Sequence, residues 1–231
     1  MRDWAMAVAT VACLSAILVS CGRTQESGDQ DAAAGFRLLL DDRYEEAAER
    51  FERAVRKGLS EQKYEEVYTC LGNAYNELSR WQESIDCHKK AIEANPRFHK
   101  AWVNLGIVYR LTGDFAEAEK CYRKALELEP DYAELHASIG ALYIFQERYD
   151  DAVKHLEKAI ELDRQLPVAW ANLSVAYATV GRFENAESAL KRAILLGYRN
   201  GPILRERIDN LKALASSPSQ GAATREAGDG S

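Results

Sequence analysis

The sequence predicts an all-α solenoid of stacked helical hairpins closed by a C-terminal cap helix, and three observations carry that prediction. The chain matches itself at a shift of 34 residues. Within each copy, small residues recur at fixed places, with large aromatic or aliphatic residues between them. Gly and Pro fall where a hairpin would turn and where its second helix would stop. A period of this size signals a repeat architecture, in which each unit buries its apolar face only against its neighbours.

The units span residues 28–61, 65–98, 99–132, 133–166 and 167–200, with Gln62 to Tyr64 inserted between the first two. The eighth position holds Gly35, Gly72, Gly106, Gly140 and Ser174, and the twentieth holds Ala47, Ser84, Ala118, Ala152 and Ala186. Helices about 8–10 Å apart need small residues where backbones approach and large ones beside them. Both positions are therefore assigned to the contact between the first helix (A) and the second (B) of a hairpin. The twenty-seventh position, Ala54, Ala91, Ala125, Ala159 and Ala193, is assigned to the contact with the next unit. Gly113 and Gly181 mark A–B turns, and Pro96 and Pro130 mark the end of helix B, which a proline cannot continue. Pro202 at a helix start, with Leu204, Ile208, Leu211 and Ala215 on one face, predicts a cap helix over 201–215. Residues 216–231 are rich in Ser, Gly and Ala, which predicts a disordered tail.

Trp102, Leu105, Gly106, Tyr109, Ala118, Tyr122, Ala125 and Pro130 of the third unit resemble the signature of the tetratricopeptide repeat, and the likeness extends over 28–200. The first unit departs most, with Asp31 and Ala34 where bulk is the rule, and the last two units have Arg164 and Tyr198 in place of the final proline. The resemblance implies a right-handed superhelix whose concave face is lined by helix A and binds a protein or peptide partner.

Trp4 to Ser20 form an uncharged run that ends at the polar stretch following Cys21. The run is shorter than the roughly 20 apolar residues of a membrane span and fits the apolar region of a secretory signal peptide over 1–20. Leu18, Val19, Ser20 and Cys21 resemble the lipobox of bacterial lipoprotein precursors, which implies cleavage before Cys21 and lipidation of its thiol. Asp3 departs from the pattern by cancelling Arg2; an uncleaved anchor is the alternative and leaves the domain on the same kind of surface. Gly22 resembles the residue that follows the cysteine in lipoproteins sorted to an outer membrane, where the organism has one. The linker 21–27 reaches about 25 Å when extended. The expected location is the extracytoplasmic side of a cell membrane, with the domain held close to it.

A net charge of −6 without a stripe of Lys and Arg argues against nucleic-acid binding, because phosphate contacts need clustered cations. The five cysteines form no CxxC pair, which removes the usual zinc spacing. Cys87 and Cys121 occupy equivalent places in adjacent units, about a helix diameter apart, and are expected to be free thiols. His136 and His155 share one unit, but His136 stands where Trp102 and Trp170 stand in others, so a structural histidine is expected rather than a metal ligand. No nucleophile with an adjacent base is recognisable, so neither an enzyme activity nor a cofactor is expected.

The helix-A positions expected to line the groove are Asn73, Asn76, Val103, Asn104, Ile107, Arg110, Ala141, Ile144, Asn172 and Val175, joined by Lys100, Leu111 and Phe145. A carboxamide both donates and accepts, so it can pair with a peptide backbone whatever its side chains are. Asn104 and Asn172 resemble rungs of the asparagine ladder in the repeats of O-linked N-acetylglucosamine transferases, with Ser138 breaking the ladder. Asn73 and Asn104 resemble two amides of the carboxylate clamp of co-chaperone repeats, yet Thr69, Glu134 and Ser138 stand where its cations belong. The competing reading is that Asn104 pairs locally with backbone. The expected function is a membrane-tethered adaptor that binds a peptide or helical segment of another envelope protein, a build resembling pilus-secretin pilotins and scaffolds of cell-wall hydrolases. The alternative is a self-associating structural lipoprotein, a homo-oligomer whose groove is filled by another copy or by its own tail.

Overall fold

The computed structural model describes residues 28–60 and 63–216; the signal, lipidation and tail assignments, on 1–27 and 217–231, lie outside the described residues. The described residues form helices and turns, without strands: α1 (Asp29–Leu40), α2 (Tyr44–Lys57), α3 (Tyr64–Glu77), α4 (Trp81–Ala94), α5 (His99–Thr112), α6 (Phe115–Leu128), α7 (Ala133–Phe145), α8 (Tyr149–Leu162), α9 (Pro167–Thr179), α10 (Phe183–Leu195) and α11 (Gly201–Ser216). They pair in order as five hairpins, α1 with α2 through α9 with α10, and each hairpin packs on the next through its B helix and the following A helix.

Each A–B turn is built the same way. The fifteenth residue of the unit is left-handed in every copy: Asp42, Ser79, Gly113, Glu147 and Gly181. Its N–H reaches back to the carbonyl of the twelfth residue, as from Ser79 to Asn76 at 2.9 Å. The next N–H reaches the carbonyl of the eleventh, with Arg80 to Tyr75, Asp114 to Tyr109, Arg148 to Tyr143 and Arg182 to Tyr177 all at 2.8 Å. This pair of bonds is a Schellman motif, which satisfies carbonyls left over at the end of helix A. A Cβ built on Gly113 or Gly181 meets nothing within 4 Å, so glycine is favoured there for backbone conformation alone. Asp42, Ser79 and Glu147 hold the same conformation with a side chain attached. Relieving that strain by Glu147→Gly is therefore expected to stabilise the fourth hairpin by about 0.5–1 kcal/mol, after the entropy of the added glycine. A lower thermal midpoint for the variant would contradict the assigned turn.

Helix B begins with Arg43, Arg80, Arg148 or Arg182 in four hairpins and with Asp114 in the third, whose carboxylate accepts from the Glu117 N–H. Three of these arginines pair with a carboxylate one turn on: Arg43 with Glu46, Arg80 with Glu83 and Arg148 with Asp151. Arg80 and Arg148 also lie over the rings of Tyr75 and Tyr143, at 4.3 and 4.0 Å from their centroids. The helix start is thus tied back to the end of helix A.

The small positions are places of close helix approach. A Cβ on Gly35, Gly72, Gly106 or Gly140 would fall within 3 Å of Phe51, His88, Tyr122 or Leu156, the twenty-fourth residue of the same unit. The eighth position therefore faces the twenty-fourth as well as the twentieth, where Ser84 Oγ donates to the Gly72 carbonyl at 2.8 Å. The alanines of the twenty-seventh position are fully buried, and Ala159 lies in one cluster with Leu166, the last residue of its own unit, and Ala169 of the next.

The first unit compensates for Asp31 electrostatically. Its carboxylate is buried on α1 and meets Arg50 at 2.9 Å, Lys57 at 2.7 Å and Arg53 at 4.0 Å, all from α2. The Lys57 and Arg50 hydrogen bonds outweigh burial and hold the carboxyl below the usual carboxylate range. At the other end α11 packs on α9 and α10, burying Leu204 and Ile208 and half-burying Leu211. Ala215, expected on that face, is exposed, as is every residue of α11 after Leu211, so the end of the cap helix is left uncovered.

Candidate functional site

Successive A helices touch one another, α1 with α3, α3 with α5, α5 with α7 and α7 with α9, while among the described residues no B helix touches the next B helix. A stack whose A helices converge and whose B helices splay is curved, with the A helices on the inside. The candidate site is this concave face, and the crowding of A helices decides which side chains remain open on it.

Asn104, Ile107, Ala141, Ile144 and Asn172 are half-buried, with part of their surface open. Asn73, Asn76 and Arg110 are buried. Val103 packs with Tyr122 and Leu135, and Val175 with Leu190, Leu204 and Ile208 beneath the cap helix, so both valines belong to the core rather than to the groove surface. The reason is what covers each one: Val103 is covered by α6 and α7 and Val175 by α10 and the cap helix, whereas Ile107 and Ala141, at the same ninth position as Val175, stay partly open and the thirteenth position is more open still. Leu40, Leu111 and Phe145 occupy that thirteenth position and are exposed large apolar side chains. Phe145 lies beside Phe115, their centroids 6.2 Å apart.

The asparagines differ from the serine that replaces them. Ser138 Oγ donates to the Glu134 carbonyl at 2.8 Å, a local satisfaction within α7. The Asn104 and Asn172 amides make no hydrogen bond to another described residue. Local backbone pairing therefore explains the serine and leaves the two amides available.

Along the second position run Glu66, Lys100 and Glu134. Burial pushes the Glu66 and Glu134 carboxyls up, and Lys100 between them partly offsets it. Arg110, on α5, places its guanidinium 5.3 Å from the Phe145 ring centroid and beside the Tyr122 hydroxyl. Its Nε is buried without a hydrogen-bond partner, and the Tyr122 hydroxyl, also buried, has the Arg110 guanidinium as its polar neighbour. The sequence located Arg110 on this face; that it is a buried cation was not legible, because its cover comes from residues 12 and 35 positions further along the chain.

Elsewhere the chemistry-bearing side chains serve packing. Trp102 and Trp170 each donate their indole N–H to the carbonyl six residues earlier, Pro96 and Arg164, at 3.0 Å. His136 makes the same bond through Nε2 to the Pro130 carbonyl at 2.9 Å. A carbonyl only accepts, so Nε2 carries the proton and the neutral ring's Nδ1 is the acceptor. His155 Nδ1, 3.1 Å away, is then the donor. The pair thus reproduces a tryptophan's bond with a second ring stacked upon it. Among the described residues, no group of three or more His, Cys, Asp or Glu side chains is placed to hold a metal ion. Cys70, Cys87 and Cys121 are buried free thiols, and burial pushes Cys87 and Cys121 up to about 12. A cavity of about 710 Å³ lies between α8 and α10 over the B-facing side of α9, bordered by Glu157, Glu161, Glu184 and Arg192. It is separate from the concave face.

Curved stacking of hairpins around one continuous open face defines the molecule as an α-solenoid. Tetratricopeptide-repeat family profiles match residues 64–128, 97–165 and 143–202, together more than half of the chain. The chain belongs to the tetratricopeptide-repeat family, and its fold is that family's right-handed superhelical solenoid, closed by a C-terminal cap helix. Similar solved structures include a thermophilic tetratricopeptide-repeat protein of Thermus thermophilus, 22% identical over 81% of this chain and 100% of that chain, with a TM-score of 0.68. The Cut9–Hcn1 hetero-tetramer of the APC/C is similar at a TM-score of 0.75 and 18% identity, over 84% of this chain and 38% of that one. PilF of Pseudomonas aeruginosa is similar at a TM-score of 0.59 and 22% identity, over 67% of this chain and 70% of that one. At these identities the likeness is one of fold. Comparison with curated proteins gives no match. Among the described residues no helix is long and apolar enough to cross a membrane.

Proposed function

We propose that this protein is an adaptor: tethered to a membrane through lipidated Cys21, it holds an extended or helical segment of another envelope protein along its A helices. The observation that carries the reading is the pair of half-buried amides, Asn104 and Asn172, whose hydrogen-bonding capacity no described residue uses, on the face that also exposes Leu111 and Phe145. Amides supply bonds to a backbone, and open apolar side chains supply area, which together suit a peptide rather than a small molecule. Confinement near the membrane would act through effective concentration, raising the encounter rate with a partner on the same surface.

The test is photocrosslinking in cells from a photoreactive residue at Ile107, one turn beyond Asn104, with Glu187 on α10 as the surface control. One recurring adduct, lost in Asn104→Leu, is the expected result. Adducts no more frequent than from Glu187 would sink the adaptor reading. The second reading, self-association, is favoured by exposed Leu195, Ile203 and Leu214 at the C-terminal end of the stack. It predicts a mass that rises with concentration and crosslinks to a second copy of the chain.

A further inference from the structure

We propose that Arg110 is the receptor for one carboxylate, an internal Asp or Glu side chain, of the segment held in the groove; this rests on the groove reading above and assigns the segment's chemistry. Arg110 is only 8% exposed, yet no carboxylate of the described residues forms an ion pair with it. By contrast, the exposed Arg43, Arg80 and Arg148 each have one. Burying a cation without a counter-charge is costly, so a groove that keeps one is complementary to an anion. The guanidinium carbon lies 5.3 Å from the Phe145 ring centroid, and beside it is the buried Tyr122 hydroxyl, which can accept from Arg110 and still donate its own proton. Both groups can donate to one carboxylate.

The surroundings specify what flanks the acid. Phe145 is 54% exposed, and Leu111, the residue after Arg110, is exposed too. An apolar side chain next to the acidic one would cover both. Lys100, the other cation placed on this face, already stands between Glu66 and Glu134, and Thr69, Glu134 and Ser138 offer no further cation for a chain terminus, so one carboxylate on an internal side chain is the source assigned.

The experiment selects random twelve-residue peptides on the full chain in detergent, from one library displayed internally and a second with free C-termini. The expected outcome is enrichment, in the internal library, of Asp or Glu beside Leu or Phe. Changing that acid to its amide in a selected peptide should weaken binding to the unaltered protein by about tenfold or more. Arg110→Gln should abolish the difference between the two peptides, and Arg110→Lys should retain part of it. Groove-binding peptides without acids, or an acid preference that survives Arg110→Gln, would overturn the inference and leave the adaptor reading standing. Enrichment only with free C-termini would reassign the carboxylate to a chain end and overturn it as stated. Binding seen only after removal of 217–231 would make the chain's own Glu226 or Asp229 the occupant, and dimers dispersed by Arg110→Gln would make it a second copy; either overturns the partner assignment. If neither library yields a peptide that competes at the groove, the adaptor reading fails and this inference with it.

Discussion

Gly106→Val is expected to destabilise the third hairpin by about 3 kcal/mol, close to the upper end of what overpacking a core costs. A Cβ at this position lies 2.5 Å from Cε1 and 2.7 Å from Cδ1 of the Tyr122 ring, well inside contact distance. The ring has no easy retreat: Tyr122 is fully buried on α6, in a cluster with Val103, Leu135 and Ile139. A valine adds two further carbons to that wedge, and its better intrinsic helix propensity than glycine offsets only a few tenths of a kcal/mol. The fifth hairpin shows that the conflict is one of partners rather than of the fold. Ser174 stands at the same place, opposite Leu190, and is fully buried with its hydroxyl on the Ala171 carbonyl at 2.7 Å. Ala116→Val, on the exposed side of α6, is the control and should cost about 0.5 kcal/mol through propensity alone. Because repeat arrays need not unfold in one step, the reading should combine denaturant midpoints with amide exchange over α5 and α6. Equal effects for the two valines would refute the close approach of these helices.

The second large effect concerns acid. His88 on α4 fills the place held elsewhere by Phe51, Tyr122, Leu156 and Leu190. It is fully buried against Gly72, and neither ring nitrogen has a hydrogen-bond partner. Burial pushes the imidazole down to about 3, from an ordinary value near 6.5. Below 6.5 the unfolded chain binds a proton that the folded chain refuses. The contribution of this group is therefore fully present above pH 6.5 and is lost as pH falls toward 3, at up to about 1.4 kcal/mol per unit. At pH 5 that amounts to about 2 kcal/mol relative to pH 7. His99 and His155 are shifted down by the same cause and add in the same direction, with less weight because they are only half-buried. His88→Leu should remove the share due to this ring from the pH slope. At pH 7 it should also stabilise by about 1–3 kcal/mol, since two unsatisfied nitrogens give way to hydrocarbon. Denaturant midpoints at pH 7 and pH 5 for both proteins check this, and an unchanged slope in the variant would mean that His88 is solvated.

Much of the fold was legible because repetition turns packing into spacing. The small residues at Gly106 and Ala118, the alanines of the twenty-seventh position and the turn at Gly113 were readable from recurrence, whereas the contact of Gly106 with Tyr122 came from the structure. Asp42, Ser79 and Glu147 were harder, since each adopts the left-handed conformation without being glycine, and only the shared register with Gly113 and Gly181 points to it. The groove was legible as a list of positions, and the structure then divided that list. Asn104 and Asn172 stay open, whereas Val103 and Val175 turn into the core.

By itself, the sequence determined the helical period, the hairpin register and the small-residue positions, while the side of each hairpin that turns inward was implied only by the family resemblance. The first three follow from local rules, 3.6 residues per turn and the volumes allowed between two helices, and local rules are written along the chain. Only the tertiary structure decided that Arg110 is buried under Phe145 without a carboxylate, that His136 bonds as a tryptophan does, and that three cations of α2 surround Asp31. Charge, burial and hydrogen bonding at a point depend on side chains contributed by other helices. The spacing of residues along one helix does not encode which of those neighbours arrive.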